Sequence, residues 1–241
     1  MNFSGDLEPA DETLSLMERA YLRLRLGILS GDLPPGTRLR AADLQDRFGL
    51  GLTPIREALM RLTSEGLVDA ETHRGSRVSS ASLKAFADLM DARQEIEATC
   101  LRRAIARGDA AWEAEIVASM HLLIRTPLPG DADNRAATAD WEKYHRRFHF
   151  ALVSACGSEW LLRFWNTLAD QSERYRAIRL LRRSETAAEV RDMNGEHTAI
   201  MNAVVGRDTE LAISLMSTHL KATERAIARL LGNDSQTVKK T

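Results

Sequence analysis

From residue 82 to residue 232 apolar side chains recur at helical spacing, with no strand-like alternation. This excludes a sheet-based architecture for the larger part of the 241-residue chain. The spacing predicts helices over 83–107, 110–124, 137–156, 158–183, 187–206 and 208–231. Asp109, the Pro127–Pro129–Gly130 stretch, Gly157-Ser158 and Gly206-Arg207-Asp208 break the pattern between them. Packed together, they make an antiparallel all-helical bundle.

The first 80 residues read differently. Leu14, Met17, Tyr21, Leu24 and Ile28 mark one helix, over Leu14 to Ser30, which Gly31 and Pro34-Pro35-Gly36 end. A short helix follows from Ala41 to Phe48, with Leu44 and Phe48 inward. After a break at Gly49 to Leu52, Thr53 is the expected N-cap and Pro54 the expected first helical residue; the helix then runs to about Glu65. Its inward stripe is Ile55, Leu59 and Leu62. Residues 67–71 and 76–79 flank a turn at Thr72-His73-Arg74-Gly75 and read as a β-hairpin. The predicted class is mainly α: a winged helix-turn-helix (three helices and a hairpin wing) over 13–80, then a helical domain over 81–232. Residues 1–12 and 233–241 are polar and lack periodicity, so they are expected to be tails.

Composition bounds the function. No apolar run reaches the roughly 18–20 residues needed to span a bilayer, and residues 1–12 lack a basic and an apolar signal region. The expectation is a cytoplasmic protein with no membrane partner. The two cysteines, Cys100 and Cys156, lie outside any paired spacing, so a disulfide or cysteine zinc site is not expected. From Arg19 to Ser80 there are ten arginines, no lysines and seven acidic residues, a net +3. That bias is compatible with a DNA partner without requiring one.

A recognition helix presents its N-terminal residues to base edges in the major groove. Here those are Thr53, Pro54 and Arg56, with Met60 a turn later. Arg56 is long enough for a guanine edge or a phosphate. Arg40, just ahead of the second helix, is placed to grip the backbone, and His73, Arg74 and Gly75 form the wing tip. Each arginine taken singly reads equally well as a solvated surface residue; the order of elements favours DNA.

Histidines carry the second signal. His145 and His149 are four apart and share a face with Trp141, Tyr144, Phe148, Leu152 and Cys156. His219 falls on a stripe with Leu211 and Leu215, and His197 precedes Ile200, Met201 and Val204. A lone inward histidine reads as a core imidazole bonded to a carbonyl. Four of them, from three helices, could instead converge on a divalent ion, for which imidazole is a common ligand. Arg93 and Arg174 are candidates to fork a carboxylate, with Gln171 and Tyr175 beside the latter. The competing role for these arginines is ion pairing, for instance Arg93 with Glu97.

The segments PPGTRL, TPIREAL, EGLV and RGSRV occur in order between Pro34 and Val78. Together they resemble the DNA-binding domain of the GntR family. The family usually has Arg just before the Thr-Pro pair; here the residue is Leu52, which implies a different set of operator contacts. The second half is similar to the FCD effector domain of the FadR subfamily. That resemblance implies a metal, zinc or alternatively nickel, on His145, His149, His197 (after Glu196) and His219 (before Leu220). The family usually has Asp at the position of His145. It also implies a carboxylate effector against Arg93. The stretch FHFALVSACGSEWLLRFW is most similar to the glutarate-responsive, carbon-starvation-induced repressor type, which implies a dicarboxylate such as glutarate.

The function expected is a homodimeric regulator, a repressor, that binds an inverted-repeat operator and is released by a small organic acid bound near a metal. A metal-sensing regulator is the alternative. An enzyme is disfavoured, because no nucleophile motif such as GxSxG is present.

Overall fold

The computed structural model describes residues 13–71, 75–80, 82–127, 135–181 and 191–237; the side chains of 135–136, 139, 177–181 and 230–237 are outside the description. The expected tail at 1–12 and the wing-tip residues His73 and Arg74 lie outside the described residues. The chain divides into two units, Met1–Ser80 and Ala81–Thr241.

The first unit is built on α1 (Leu16–Leu29), α2 (Ala41–Phe48) and α3 (Leu52–Ser64). α1 starts two residues later than its apolar spacing predicts, because Ser15 and Glu18 form a reciprocal capping box there. α2 ends at Gly49, whose φ of 63° suits a residue without a Cβ. α3 starts earlier than expected. Gly51 is its N-cap, so Thr53 lies inside the first turn and makes no cap, and Pro54 is the third helical residue. Proline is tolerated there because the first four backbone N–H groups of a helix have no intrahelical acceptor. Tyr21, Leu24, Ile28, Leu44, Ile55, Leu59 and Leu62 share one core with Leu67, Val68 and Val78.

The wing has one strand more than the hairpin predicted. β1 (Arg38–Leu39), β2 (Val68–Glu71) and β3 (Gly75–Val78) form an antiparallel sheet in the order β1-β3-β2. Val68 pairs with Val78 and Glu71 with Gly75, while Leu39 pairs with Ser76. Two residues are too few to show period-two alternation. Arg77 fastens the sheet, donating from Nε to Glu71 at 2.6 Å and from Nη1 to the Gly36 carbonyl at 2.6 Å.

The second unit contains α4 (Leu83–Arg107), α5 (Ala110–Arg125), α6 (Arg135–Val153), α7 (Glu159–Leu181), α8 (Met193–Val205) and α9 (Thr209–Thr237). Ser82, Asp109 and Asp192 cap α4, α5 and α8 through side-chain oxygens. α8 begins at Met193, residues 187–190 of the helix predicted there lying outside the described residues, and α9 runs to Thr237, into the segment expected to be a tail. The helix predicted to end at Cys156 tightens into a 3-10 turn over Ser154–Cys156. α4 packs against α6, α7, α8 and α9. Phe86, Cys100, Leu101, Ile116, Phe148, Leu152, Trp165, Ile200 and Met216 lie in the shared core.

Candidate functional site

In the first unit, α3 buries Ile55, Ala58, Leu59 and Leu62. The helical period then leaves Thr53, Arg56, Glu57 and Met60 exposed on the opposite face, with Met60 at 66%. α3 is held from behind: Arg61 lies over the Tyr21 ring at 3.7 Å, and Tyr21 Oη donates to Glu65 at 3.0 Å. Pro54 is half-buried. Arg40 is the exposed N-cap residue of α2 and makes no side-chain cap. Gly75 is exposed, with φ of 91°, a conformation open to glycine and strained for other residues.

In the second unit, His145 and His149 from α6, His197 from α8 and His219 from α9 meet in the interior. Each offers one donor atom, and the four donors lie within 4.8 Å of one another. The Nε2 atoms of His149 and His197 are 3.3 Å apart. Two nitrogens at about 2.0–2.1 Å from a tetrahedral ion are separated by about 3.3 Å. All four residues are at most 4% exposed. Burial first, then the positive charge of neighbouring imidazoles and of Arg176, hold His145 and His149 well below the ordinary imidazole value. Burial lowers His197 and His219 as well. The imidazoles are therefore neutral near pH 7, the form that binds a metal. His219 Nδ1 is 2.8 Å from Glu196 Oε2, which directs its Nε2 lone pair elsewhere. Buried neutral imidazoles with a carboxylate behind one of them fit a borderline divalent ion such as zinc or nickel.

The stripe assigned to His219 needs correction. Leu211 is 47% exposed; the inward face of α9 carries Ala212, Met216, His219, Leu220, Thr223 and Ile227. His219 itself is inward.

Arg93, Arg174 and Tyr175 are buried, and Gln171 is half-buried. Arg93 donates from Nη1 to Ser172 Oγ, and its Nε is 3.7 Å from Glu97, the ion pair weighed against ligand binding. Burial lowers its guanidinium to about 10, which leaves it charged at neutral pH. Arg174 lies over the Tyr175 ring at 5.1 Å. Tyr175 packs on Phe86 with ring centroids 4.5 Å apart.

Several residues near the cluster were not picked out in the sequence. Arg176 forks Glu142 in a buried bidentate pair at 3.1 and 2.9 Å. Its charge acts on His145, His149 and His197, while Arg93 acts on His149 and His219. Arg191 forks Glu196 at 2.6 and 2.5 Å and donates to Thr223 Oγ1 at 2.9 Å. A carboxylate three residues before His145 and one adjacent to His197 were the only hints of either pair in the sequence. Among the described residues no helix is long and apolar enough to cross a membrane.

Comparison with known proteins assigns both units. The gntR family of bacterial regulatory proteins matches residues 16–78, and the FCD domain matches residues 88–222. The HTH-type transcriptional repressor GlaR of Escherichia coli (strain K12) is 38% identical over 83% of this chain and 90% of its own. BphR of Paraburkholderia xenovorans (strain LB400), an uncharacterized HTH-type transcriptional regulator, is 35% identical over 89% of this chain and 86% of its own. Among solved structures, E. coli McbR/YncC superposes with a TM-score of 0.73 at 19% identity, covering 90% of this chain and 99% of that one. A GntR family regulator from Pseudomonas syringae pv. tomato gives 0.54 at 24% identity, covering 97% and 91%. These structures share the fold. The matched families and relatives are regulators and not enzymes, and the chain belongs to the gntR family of bacterial regulatory proteins, with an FCD domain after its DNA-binding domain.

Proposed function

We propose that this regulator is a cytoplasmic repressor that binds an inverted-repeat operator as a homodimer and leaves it when a small organic acid binds beside a metal ion in the FCD domain. The observation that carries the sensing half is the convergence of His145, His149, His197 and His219, with donors within 4.8 Å of one another. These four would hold the ion, which when bound supplies a positive centre for a carboxylate. Arg93, with Arg174, Gln171 and Tyr175, would orient the anion. Glutarate or a related dicarboxylate is the favoured class, on the resemblance of the FHFALVSACGSEWLLRFW stretch to the glutarate-responsive repressor type.

On the DNA side Thr53, Pro54 and Arg56 would face base edges. Arg40 would grip the backbone, and His73, Arg74 and Gly75 would reach the neighbouring groove. A two-fold dimer presents two such helices and so asks for a two-fold operator. An effector that prefers one dimer arrangement then shifts operator affinity by linkage.

The test is a mobility-shift titration of the zinc-loaded protein on duplex DNA selected from a random pool, with and without glutarate and other dicarboxylates. Release by an acid while the metal stays bound supports this reading. Release by a chelator alone favours the metal-sensing alternative.

A further inference from the structure

Two of the four imidazoles have a carboxylate on their Nδ1 side, and an arginine holds each carboxylate. On His219 the contact is closed: Glu196 Oε2 is 2.8 Å from Nδ1, with Arg191 forked onto the same carboxylate. On His145 it is open. Glu142 Oε2 stops 3.9 Å from Nδ1, beyond hydrogen-bond reach. That Nδ1 is sealed from solvent and has no hydrogen-bond partner. Both Glu142 oxygens go instead to Arg176. Glu142, His145 and Arg176 are all buried. Glu142 and His145 are three apart on α6, on one face, so a small side-chain rotation closes the gap without moving a helix.

We propose that Glu142 is the positioning residue for His145: it accepts the Nδ1 proton and so fixes the Nε2 lone pair toward the ion, while Arg176 limits how far the carboxylate can lean. The inference rests on the four-histidine metal reading and adds a residue to it. An imidazole that ligates through Nε2 carries its proton on Nδ1, and a buried N–H with no acceptor is costly. Glu142 is the carboxylate within ion-pair range of that atom. A carboxylate there also raises the basicity of the ligating nitrogen. The geometry thus gives two His–Glu–Arg relays on opposite sequence ends of the cluster, one made and one poised.

The test is zinc affinity, measured by competition with a chromogenic chelator, for wild type and Glu142→Gln, with Glu196→Gln alongside. Glutamine keeps the side-chain length, and its amide oxygen still accepts from Arg176. Glu142→Gln is expected to bind zinc about 10–100-fold more weakly, with the circular dichroism of the zinc-free protein unchanged. In zinc-loaded wild type, nitrogen-15 NMR of the histidines is expected to show His145 with its proton on Nδ1, shifted downfield as for His219. A purely structural role for Glu142 would not move that proton. Equal zinc affinity in the two proteins, or His145 carrying its proton on Nε2, overturns the proposal. If Glu142→Gln does not fold, the tautomer of the wild type decides. A wild type that takes up no zinc overturns the four-histidine reading itself, and this inference with it.

Discussion

His149 and His197 are 48 residues apart in the chain, and their Nε2 atoms face each other at 3.3 Å. With both rings neutral, the contact is a hydrogen bond when one Nε2 carries the proton and donates it to the other. An ion held by both would need each ring's proton on Nδ1 and would then satisfy both lone pairs. Removing one imidazole should weaken binding, since three remain. His149→Ala is expected to bind zinc at least about tenfold more weakly in competition with a chelator. A chelator should lower the melting temperature of the wild type more than that of the variant. Unchanged zinc affinity in a folded His149→Ala would rule out His149 as a ligand.

The exposed face of α3 makes a second expectation. Arg56→Ala should weaken binding to selected duplex DNA by about 1–3 kcal/mol, roughly 5- to 150-fold, if the contact is to a base edge. Leu52→Arg should strengthen binding and steepen its salt dependence by about one unit for each bound protomer, the signature of an added phosphate contact. Titrations at several salt concentrations measure both. Unchanged binding by a folded Arg56→Ala would remove α3 from the interface.

A substitution at Arg93 tests anion binding apart from metal binding. Arg93→Lys keeps a charge and loses the planar fork. It is expected to bind zinc as the wild type does, while the rise in melting temperature produced by glutarate falls away. A thermal shift as large as that of the wild type would leave Arg93 with its Glu97 ion pair alone.

Glu97 gives a pH dependence. Burial raises its carboxyl above 4.5, against the opposing pull of Arg93. The folded protein therefore holds a proton that the unfolded chain releases. Its contribution is fully present below about 4.5 and is lost as pH rises through the folded value. Glu97→Gln, whose amide oxygen can still accept from Trp165 Nε1, should remove that component. Urea unfolding at pH 5 and pH 8 should show a smaller loss of stability between the two in the variant. An identical pH dependence in both proteins would contradict the raised value.

The thiols offer a further check. Burial first, then its neighbour Cys156, push Cys100 up to about 12, and both cysteines are buried and free. Since the thiolate is the reactive form, a disulfide-exchange reagent at pH 8 should label neither in the native protein and both after denaturation. Rapid native labelling would show that α4 and the 3-10 turn open readily.

What the sequence discloses depends on how each residue earns its place. The helices of both units were legible because each carries an apolar stripe, and Gly or Pro marks many of their ends. The starts of α1 and α3 were misjudged because a cap competes with the apolar pattern: Ser15 with Glu18 delays α1, and Gly51 brings α3 forward. β1 was invisible because its two residues are a strand only through pairing with β3. Three of the four histidines stood out because each sits among apolar neighbours at helical spacing. His219 was read beside Leu211, which is exposed, since its true face mixes Ala212 and Thr223 with Met216. Arg176 and Arg191 could not be told from solvated charges, because their burial is set by Glu142 and Glu196 and not by their own surroundings in the chain.

The four imidazoles lie between residues 145 and 219, wholly after the DNA-binding unit. Synthesis runs from the N-terminus, and domains tend to fold as they emerge. A ribosome therefore completes the DNA-reading unit before the chain holds a single donor, and α9 must follow before the set is whole. An ion held by these four imidazoles would therefore be taken up only by the finished chain.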